Sequence, residues 1–382
     1  MVEALVVDAV RSPTGKRNGG LGGVHPVDLA ASVITALFDR TSVEPTLVDD
    51  VVFGCVDQLG AQSMNIARNA WLSTGFSDTV PGVTIERQCG SSQQAISFAS
   101  QAIRSGDADC IVAGGVEVMS VVPIMAALFE GEKIGMGHAW KGEGWLKRFG
   151  DEEVTQFRGA ELIAQRWGIE RETLDSFALL SHTRAFAAWE AGRFDDQVIP
   201  VAGVTRDEGI RAESSLEALG NLKPLREGGL ITAGTSSQIS DAASAVLVVS
   251  DSFAKQHGLQ AMTRIRTCVA VGSDPIEMLS GPIPATRKAL QLSGLGIDDI
   301  GLFECNEAFA SVVLAWQDTF GIDMARLNVN GGAIALGHPL GATGARLATT
   351  LVHEMVRSGT RYGLQTMCEG AGMANATIYE LA

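Results

Sequence analysis

The chain of 382 residues is poor in the features that would assign it to several common classes. Its six cysteines, at positions 55, 89, 110, 268, 305 and 368, form no Cys-x-x-Cys pair and have no histidine at zinc-ligand spacing, so neither a disulfide scaffold nor a structural zinc site is indicated. Cationic charge is scarce: 29 Lys and Arg stand against 44 Asp and Glu, for a formal net charge of -15. Binding to a nucleic-acid backbone needs concentrated Lys and Arg, so no nucleic-acid partner is expected and any anionic ligand must find a local basic patch. Long apolar runs are missing too. The longest, Val118 to Phe129, is broken by Ser120 and Pro123 and falls short of the roughly 20 residues of a membrane span. Met1-Val2-Glu3-Ala4 has no basic region followed by an apolar core, and Tyr379-Glu380-Leu381-Ala382 carries no peroxisomal Ser-Lys-Leu, so a cytoplasmic location is expected.

What is present is apolar side chain and glycine. Hydrophobic residues make up 46% and charged residues 19%, a globular balance, and the length suits two or three domains. Glycine occurs 44 times, against about 27 for average usage, which implies many tight turns and close backbone approaches.

The chain repeats itself. The β-type run Ala4 to Asp8, ending at Arg11-Ser12-Pro13, has a counterpart in Thr263 to Val271, ending near Asp274-Pro275, and a helical stretch follows each. Asp49-Asp50 opens the run to Cys55 as Asp298-Asp299 opens the run to Cys305. A helix after Cys89 leads through Arg104-Ser105-Gly106 to a strand over Cys110 to Ala113; a helix after His338 leads through Arg357-Ser358-Gly359 to a strand over Tyr362 to Met367. Strands alternating with helices in both halves predict two α/β units with mainly parallel sheets. The more charged stretch between them predicts an insertion, with helices near Ala160 to Trp167 and Arg171 to Ala191. The domains read as 1-116 plus 237-258 for the first half, 117-236 for an inserted loop domain and 259-382 for the second half.

A lone cysteine is ordinarily a small buried hydrophobe. Cys89 differs, because it stands where the strand Val83 to Ile85 hands over to a helix, beside Arg87, Gly90 and Ser91, and a helix N-terminus favours thiolate over thiol. His338, between Gly337 and Pro339, mirrors Cys89 in the repeat, so the two face each other if the halves pack symmetrically. The glycines around it form no Gly-x-Gly-x-x-Gly after a strand and no Gly-Lys-Ser/Thr, and read instead as backbone closing around a substrate. Cys368 and Asn306 end strands, where α/β proteins commonly build their sites. Alone, Asn306 reads equally well as a helix cap or strand terminator.

Together these residues resemble the thiolase family. The blocks are Arg87-Gln88-Cys89-Gly90-Ser91, Asn306-Glu307-Ala308-Phe309, Gly331 through Pro339, and Cys368-x-Gly370-x-Gly372, with Arg11-Ser12-Pro13 and Gly15-Lys16-Arg17 similar to the family's opening. The resemblance implies an α/β thiolase fold, duplicated βαβαβαββ-like halves in five α-β-α-β-α layers with a loop domain over the site, assembled as a homodimer or homotetramer. It implies catalysis by Cys89 as nucleophile, His338 as its base, Asn306 holding a water at the enolate, Cys368 as second acid and base, and the backbone N–H groups of Cys89 and Gly370 as an oxyanion site. The substrates it implies are acyl-CoA thioesters, with coenzyme A as co-substrate and no permanently bound cofactor. Ala233-Gly234-Thr235-Ser236-Ser237 is similar to the family's pantetheine motif, which points to Ser237, and Arg211 matches a family arginine near the nucleotide. Arg211 reads equally as a solvated surface charge.

Departures from the family pattern bear on substrate. Gln156-Phe157 stands where many short-chain biosynthetic members carry a histidine, and Cys368-Glu369-Gly370-Ala371-Gly372 replaces the common Gly-Gly-Gly tail. Both favour a degradative 3-ketoacyl-CoA thiolase, similar to actinobacterial ones acting on fatty, steroid-derived or ring-derived acyl groups. A short-chain acetoacetyl-CoA thiolase and a non-catalytic acyl-CoA-binding relative remain as alternatives, although the latter would be expected to have lost one of Cys89, His338 or Cys368. A ketoacyl synthase would pair its cysteine with two histidines, and Cys368 stands in place of the second.

Overall fold

The structure, a computed structural model, describes residues 2–382. Ten strands are β1 (Ala4–Arg11), β2 (Gly15–Lys16), β3 (Asp50–Gly54), β4 (Gly82–Ile85), β5 (Cys110–Val118), β6 (Ser240–Ser250), β7 (Thr263–Gly272), β8 (Leu302–Cys305), β9 (Tyr362–Glu369) and β10 (Met373–Leu381). They form one mixed sheet in the order β4-β3-β5-β6-β1-β7-β10-β9-β8, with β2 beside β6. The first half supplies the path from β4 to β1 and the second the path from β7 to β8. Within the sheet, among the described residues, the two paths pair through Leu5 opposite Arg264 and Val6 opposite Thr263.

β3 runs parallel to both β4 and β5, as β8 does to β9, and each half closes with an antiparallel partner, β6 or β10. The expected duplication holds with two losses, since β2 has no counterpart in the second half and that of β4 shrinks to a single parallel bridge between Phe303 and Leu327; the expectation of mainly parallel sheets does not hold, because both halves are closed and joined by antiparallel pairs. β5 and β6 are buried along their whole length, as strands covered on both faces must be, and their sequences are apolar and small-residue runs interrupted by Glu117 and Asp241.

Three apolar cores lie between the layers. Helices Pro26–Thr41 and Ile66–Ser73 cover the outside of the first half, and Pro282–Ser293 and Ala310–Phe320 the outside of the second. The middle core is built on two helices, Ser91–Ser105 and Leu340–Ser358, that pack on each other and on strands of both halves. Small residues let them approach. A Cβ on Gly344 would lie 2.2 Å from the backbone nitrogen of Gln93, and the Ala345 N–H donates to Ser92 Oγ at 2.9 Å. The αL glycines Gly106 and Gly359, φ 83° and 68°, end the two helices.

Between β5 and β6 the chain carries the helices Gln156–Arg166 and Arg171–Glu190, close to the expected positions, and the shorter Ala126–Lys133 and Glu143–Phe149. Asp207 from this segment meets Arg11 of β1 in a fully buried two-point pair at 2.7 and 3.0 Å, and Trp189 Nε1 donates to the same carboxylate at 2.9 Å. The segment is thereby anchored to the sheet through a charge pair that could not be broken cheaply.

Candidate active site

β4 delivers the chain into a tight turn before the helix Ser91–Ser105. Gln88 in that turn is left-handed, φ 48°, and Ser91 clamps it, its hydroxyl donating to the Gln88 carbonyl at 2.6 Å and accepting from the Arg87 N–H at 2.9 Å. Cys89 is thus presented, part-exposed, at the mouth of the helix. Its ionisation runs against the expectation from sequence. Burial, then the Glu369 and Glu86 carboxylates, push the thiol up to about 12, against the backbone N–H groups of Cys89 and Gly370 that pull it down. The helix terminus and those N–H groups act in the expected direction but are outweighed, so the resting group is a thiol.

His338 lies 4% exposed in the turn ahead of helix Leu340–Ser358, where Gly337 takes a φ of 90°. Its protonation pattern follows from its neighbour. The Thr343 hydroxyl donates to the Pro339 carbonyl at 2.8 Å, so at 2.6 Å from His338 Nδ1 it must accept, which assigns the proton to Nδ1. Nε2 is left with its lone pair, facing the Asn306 Nδ2 donor at 3.4 Å. Burial, then the Arg346 guanidinium, push His338 down to about 3, so the ring is neutral.

Asn306 is fully buried just past β8, with its own N–H donating to the Thr366 carbonyl at 3.0 Å, two residues before Cys368. Its Oδ1 has no partner within the protein. Glu307 beside it accepts from Ser181 Oγ, Asn328 Nδ2 and the Ile334 N–H at 2.6, 2.9 and 3.1 Å, fastening the loop that leads to His338. Cys368, buried at the end of β9, is held well above the usual thiol range by burial and by charge on Cys89, Cys305 and Glu369. Gly370 approaches the Gln88 side chain so closely that a Cβ would sit 2.6 Å from its Oε1.

Cys89, Cys368 and Gly370 therefore gather on one side and His338 with Asn306 on the other. Cys89 and His338 are not hydrogen-bonded to each other; they stand at the first turns of the two helices that touch through Ser92 and Ala345. Ser237 is half-buried nearby, its N–H donating to the Ala308 carbonyl at 2.9 Å. Arg211 is exposed and makes no ion pair among the described residues; its N–H donates to His182 Nδ1 at 3.1 Å. Two residues before it, the Gly209 carbonyl accepts from Gln238 Nε2 at 2.8 Å, and the Gln238 carbonyl accepts from the His338 N–H at 3.2 Å.

Sequence reasoning missed Thr343 and Arg346. The first carries a signal, a hydroxyl five residues after the histidine and within the next helical turn. The second is fully buried on the same helix face, one turn beyond Thr343, with none of its three nitrogens hydrogen-bonded and the orphaned Glu304 Oε2 among its charged neighbours. The Gln156-Phe157 departure also acquires a place: Phe157 stands edge-on to Phe309, ring centres 5.8 Å apart, beside the Asn306 loop. Among the described residues no cluster of His, Cys, Asp and Glu is arranged to hold a metal ion, and no helix is long and apolar enough to cross a membrane.

A duplicated α/β body with a cysteine at one helix mouth and a neutral imidazole at the other defines a cysteine-dependent acyltransferase. Comparison with known proteins supplies the family. The description "Thiolase, N-terminal domain" matches residues 4–252, and "Thiolase, C-terminal domain" matches residues 259–381. A steroid 3-ketoacyl-CoA thiolase of Mycobacterium tuberculosis is 56% identical over 385 residues, covering 100% of this chain and 94% of that protein. A 3-ketoacyl-CoA thiolase of Escherichia coli K12 is 41% identical over 401 residues, covering 100% of both. The crystal structure of the Bacillus anthracis acetyl-CoA acetyltransferase superposes with a TM-score of 0.89 at 37% identity, covering 100% of this chain and 99% of that one. The chain belongs to the thiolase family.

Proposed function

We propose that this chain is a degradative 3-ketoacyl-CoA thiolase, cleaving its substrate with coenzyme A into acetyl-CoA and a shortened acyl-CoA. The observation that carries the reading is the meeting of two thiol-bearing segments, the strand end Cys368-Glu369-Gly370 closing on Gln88 and Gly90 to either side of Cys89, with the His338 imidazole at the mouth of the facing helix. A single acyl transfer needs one thiol; exchange between two thioesters at a carbon-carbon bond needs a second group that can give and take a proton at carbon and sulfur.

Cys89 sulfur attacks the keto carbon as its proton passes to His338 Nε2. Since the resting thiol holds its proton far more tightly than the imidazole does, this transfer accompanies bond formation rather than preceding it. The Cα–Cβ bond of the substrate then breaks, leaving an acyl group on Cys89 and an acetyl-CoA enolate that takes the Cys368 proton at carbon. Cys368 thiolate removes the proton of incoming coenzyme A, whose sulfur displaces Cys89 from the acyl group, and Cys89 recovers its proton from His338. The N–H groups of Cys89 and Gly370 stabilise the tetrahedral oxyanions, and the unpaired Asn306 Oδ1 suits a water hydrogen-bonded to the enolate oxygen. Ser237 and Arg211 are assigned to the pantetheine and nucleotide ends of coenzyme A, with the segment 117-236 as a loop domain over the site. No permanently bound cofactor enters this cycle; the assembly is expected to be a homodimer or homotetramer, and the location cytoplasmic.

A bulky acyl group, steroid-derived as for the Mycobacterium tuberculosis relative, is favoured by the Phe157–Phe309 wall in place of a polar histidine. The test is coenzyme A-dependent loss of 3-ketoacyl-CoA absorbance with acetoacetyl-CoA and with a long or cyclic 3-ketoacyl-CoA, in the wild type and Cys89→Ala. Cleavage of the bulky substrate that disappears in Cys89→Ala is expected. Preference for acetoacetyl-CoA would move the chain to short-chain metabolism, and no thiolysis of either would remove the reading.

A further inference from the structure

The two halves place a carboxylate at matching positions and treat it differently. In the first half Glu117, near the end of β5, accepts from the N–H groups of Gly341, Val56 and Asp57 at 2.9, 2.9 and 3.2 Å and from Gln62 Nε2 at 2.7 Å. It braces the turn just after His338. At the end of β9 the corresponding carboxyl is Glu369, and the backbone it meets is Gly90, the residue after Cys89. A Cβ on Gly90 would lie 1.9 Å from Glu369 Oε1, as one on Gly341 would lie 2.8 Å from Glu117 Oε2. Yet Glu369, 0% exposed, has no hydrogen bond to either oxygen.

Strand alternation explains the placement. Glu369 lies opposite Met373 and Cys368 opposite Ala374, so the two side chains leave β9 on opposite faces. Cys368 joins the core with Ala374 and Ala376, whereas Glu369 comes up under Gly90. Asn375, on the same face as Glu369, donates from Nδ2 to the Gly90 carbonyl at 3.3 Å. The charged or titratable groups around Glu369 are Arg87, whose buried Nε is itself unpaired, Glu86, and the Cys89 and Cys368 thiols. Ser91, Ser92, Gln93 and Gln94 at the start of the helix bring no charge. Burial, opposed by Arg87 and reinforced by Glu86, holds the carboxyl well above its usual range. A buried carboxyl without a donor is costly and calls for a role.

We propose that Glu369 is a positioning residue for the nucleophile, a carboxyl seated behind Cys89 that must keep its proton while the Cys89 sulfur gives up its own. The inference rests on the reading of Cys89 as the nucleophile. A carboxylate on Glu369 and a thiolate on Cys89 repel, so at rising pH the two lose protons as a coupled pair, in two steps stretched over a wide range.

The experiment is the rate of Cys89 alkylation by iodoacetamide, followed on the Cys89 peptide by mass spectrometry in full-length wild type, E369Q, E369A and E369D, from about pH 6 to about pH 10. The E369Q curve is expected to coincide with wild type at the acid end and to run about tenfold faster at the alkaline end, one pKa unit being a factor of ten. E369A, which needs no donor, is expected to behave like E369Q, and E369D to keep the stretched wild-type shape. Curves for E369Q and E369A that superimpose on wild type, in proteins with unchanged melting temperature, would overturn the proposal; if one variant folds poorly, the other decides. A Cys89 that never reacts in wild type, or thiolysis surviving in Cys89→Ala, would instead remove the nucleophile assignment itself.

Discussion

Removing the Thr343 hydroxyl would leave His338 free to carry its proton on either nitrogen. In Thr343→Val the Nδ1 proton loses its acceptor at 2.6 Å, and Nε2 ceases to be the only basic site. Steady-state thiolysis is expected to show kcat reduced about 10- to 100-fold, at the low end for loss of general-base catalysis, with the KM for coenzyme A little changed. Arg346→Met bears on stability. It exchanges a buried guanidinium with no hydrogen-bond partner for an apolar side chain while Glu304, pushed up to about 8, holds its proton, so urea unfolding is expected to show the variant no less stable than the wild type. At this scale the sequence was informative wherever a residue type was unusual for its setting. Cys89, His338, Asn306 and Cys368 stood out because glycines and strand ends surrounded them. Thr343 and Arg346 did not, because a threonine and an arginine in a helix look ordinary until the fold shows what they face. The surroundings of Cys89 were only half legible for a related reason: the helix mouth is visible in sequence, but the Glu369 carboxyl packed against Gly90 is not.

The pair of central helices governs the site as a unit. Their crossing allows no side chain at Gly344, where a Cβ would meet Gln93 backbone at 2.2 Å. Gly344→Ala is expected to cost about 1–3 kcal/mol in urea unfolding, as overpacking does, and to lower kcat more than a surface alanine would, because displacing one helix moves His338 relative to Cys89. In sequence the glycines of Gly341-Ala342-Thr343-Gly344 read as backbone closing around a substrate, whereas Gly344 closes on Gln93 of the other helix; the repeat identified the two helices as counterparts. The missing strand of the second half was not readable, since one parallel bridge at Leu327 leaves no run of alternating residues to detect.

For the molecule as a whole, buried ionisable groups set opposing demands on pH. His182 and His338 are pushed down by burial to about 4 and about 3 from 6.5, so the unfolded chain takes up their protons first and stability is lost as pH falls below 6.5. Glu117 and Glu304 are pushed up by burial to about 7 and about 8 from 4.5, so the unfolded chain releases their protons first and stability is lost as pH rises from 4.5 through those values. The melting temperature across the pH range is expected to peak at about pH 5 to 6 and to decline toward pH 8; a plateau extending to pH 8 would mean that these carboxyls are ionised in the fold. Composition and motif spelled out the duplicated architecture at this scale, while the buried charges could not be foreseen, because a sequence does not reveal which carboxylates end up inside.

The narrow join between the halves has one more consequence. Cys89 belongs to one half and His338 to the other, and among the described residues the sheet passes between them through two residue pairs, Leu5 with Arg264 and Val6 with Thr263. The sheet itself adds little rigidity at that join, so the fit of helix Ser91–Ser105 against helix Leu340–Ser358 fixes the distance from Cys89 to His338, and loosening that fit misaligns the two groups while the helices stay formed. Dilute urea should silence thiolysis at a concentration where circular dichroism still reports intact helices, and activity should return at once on dilution.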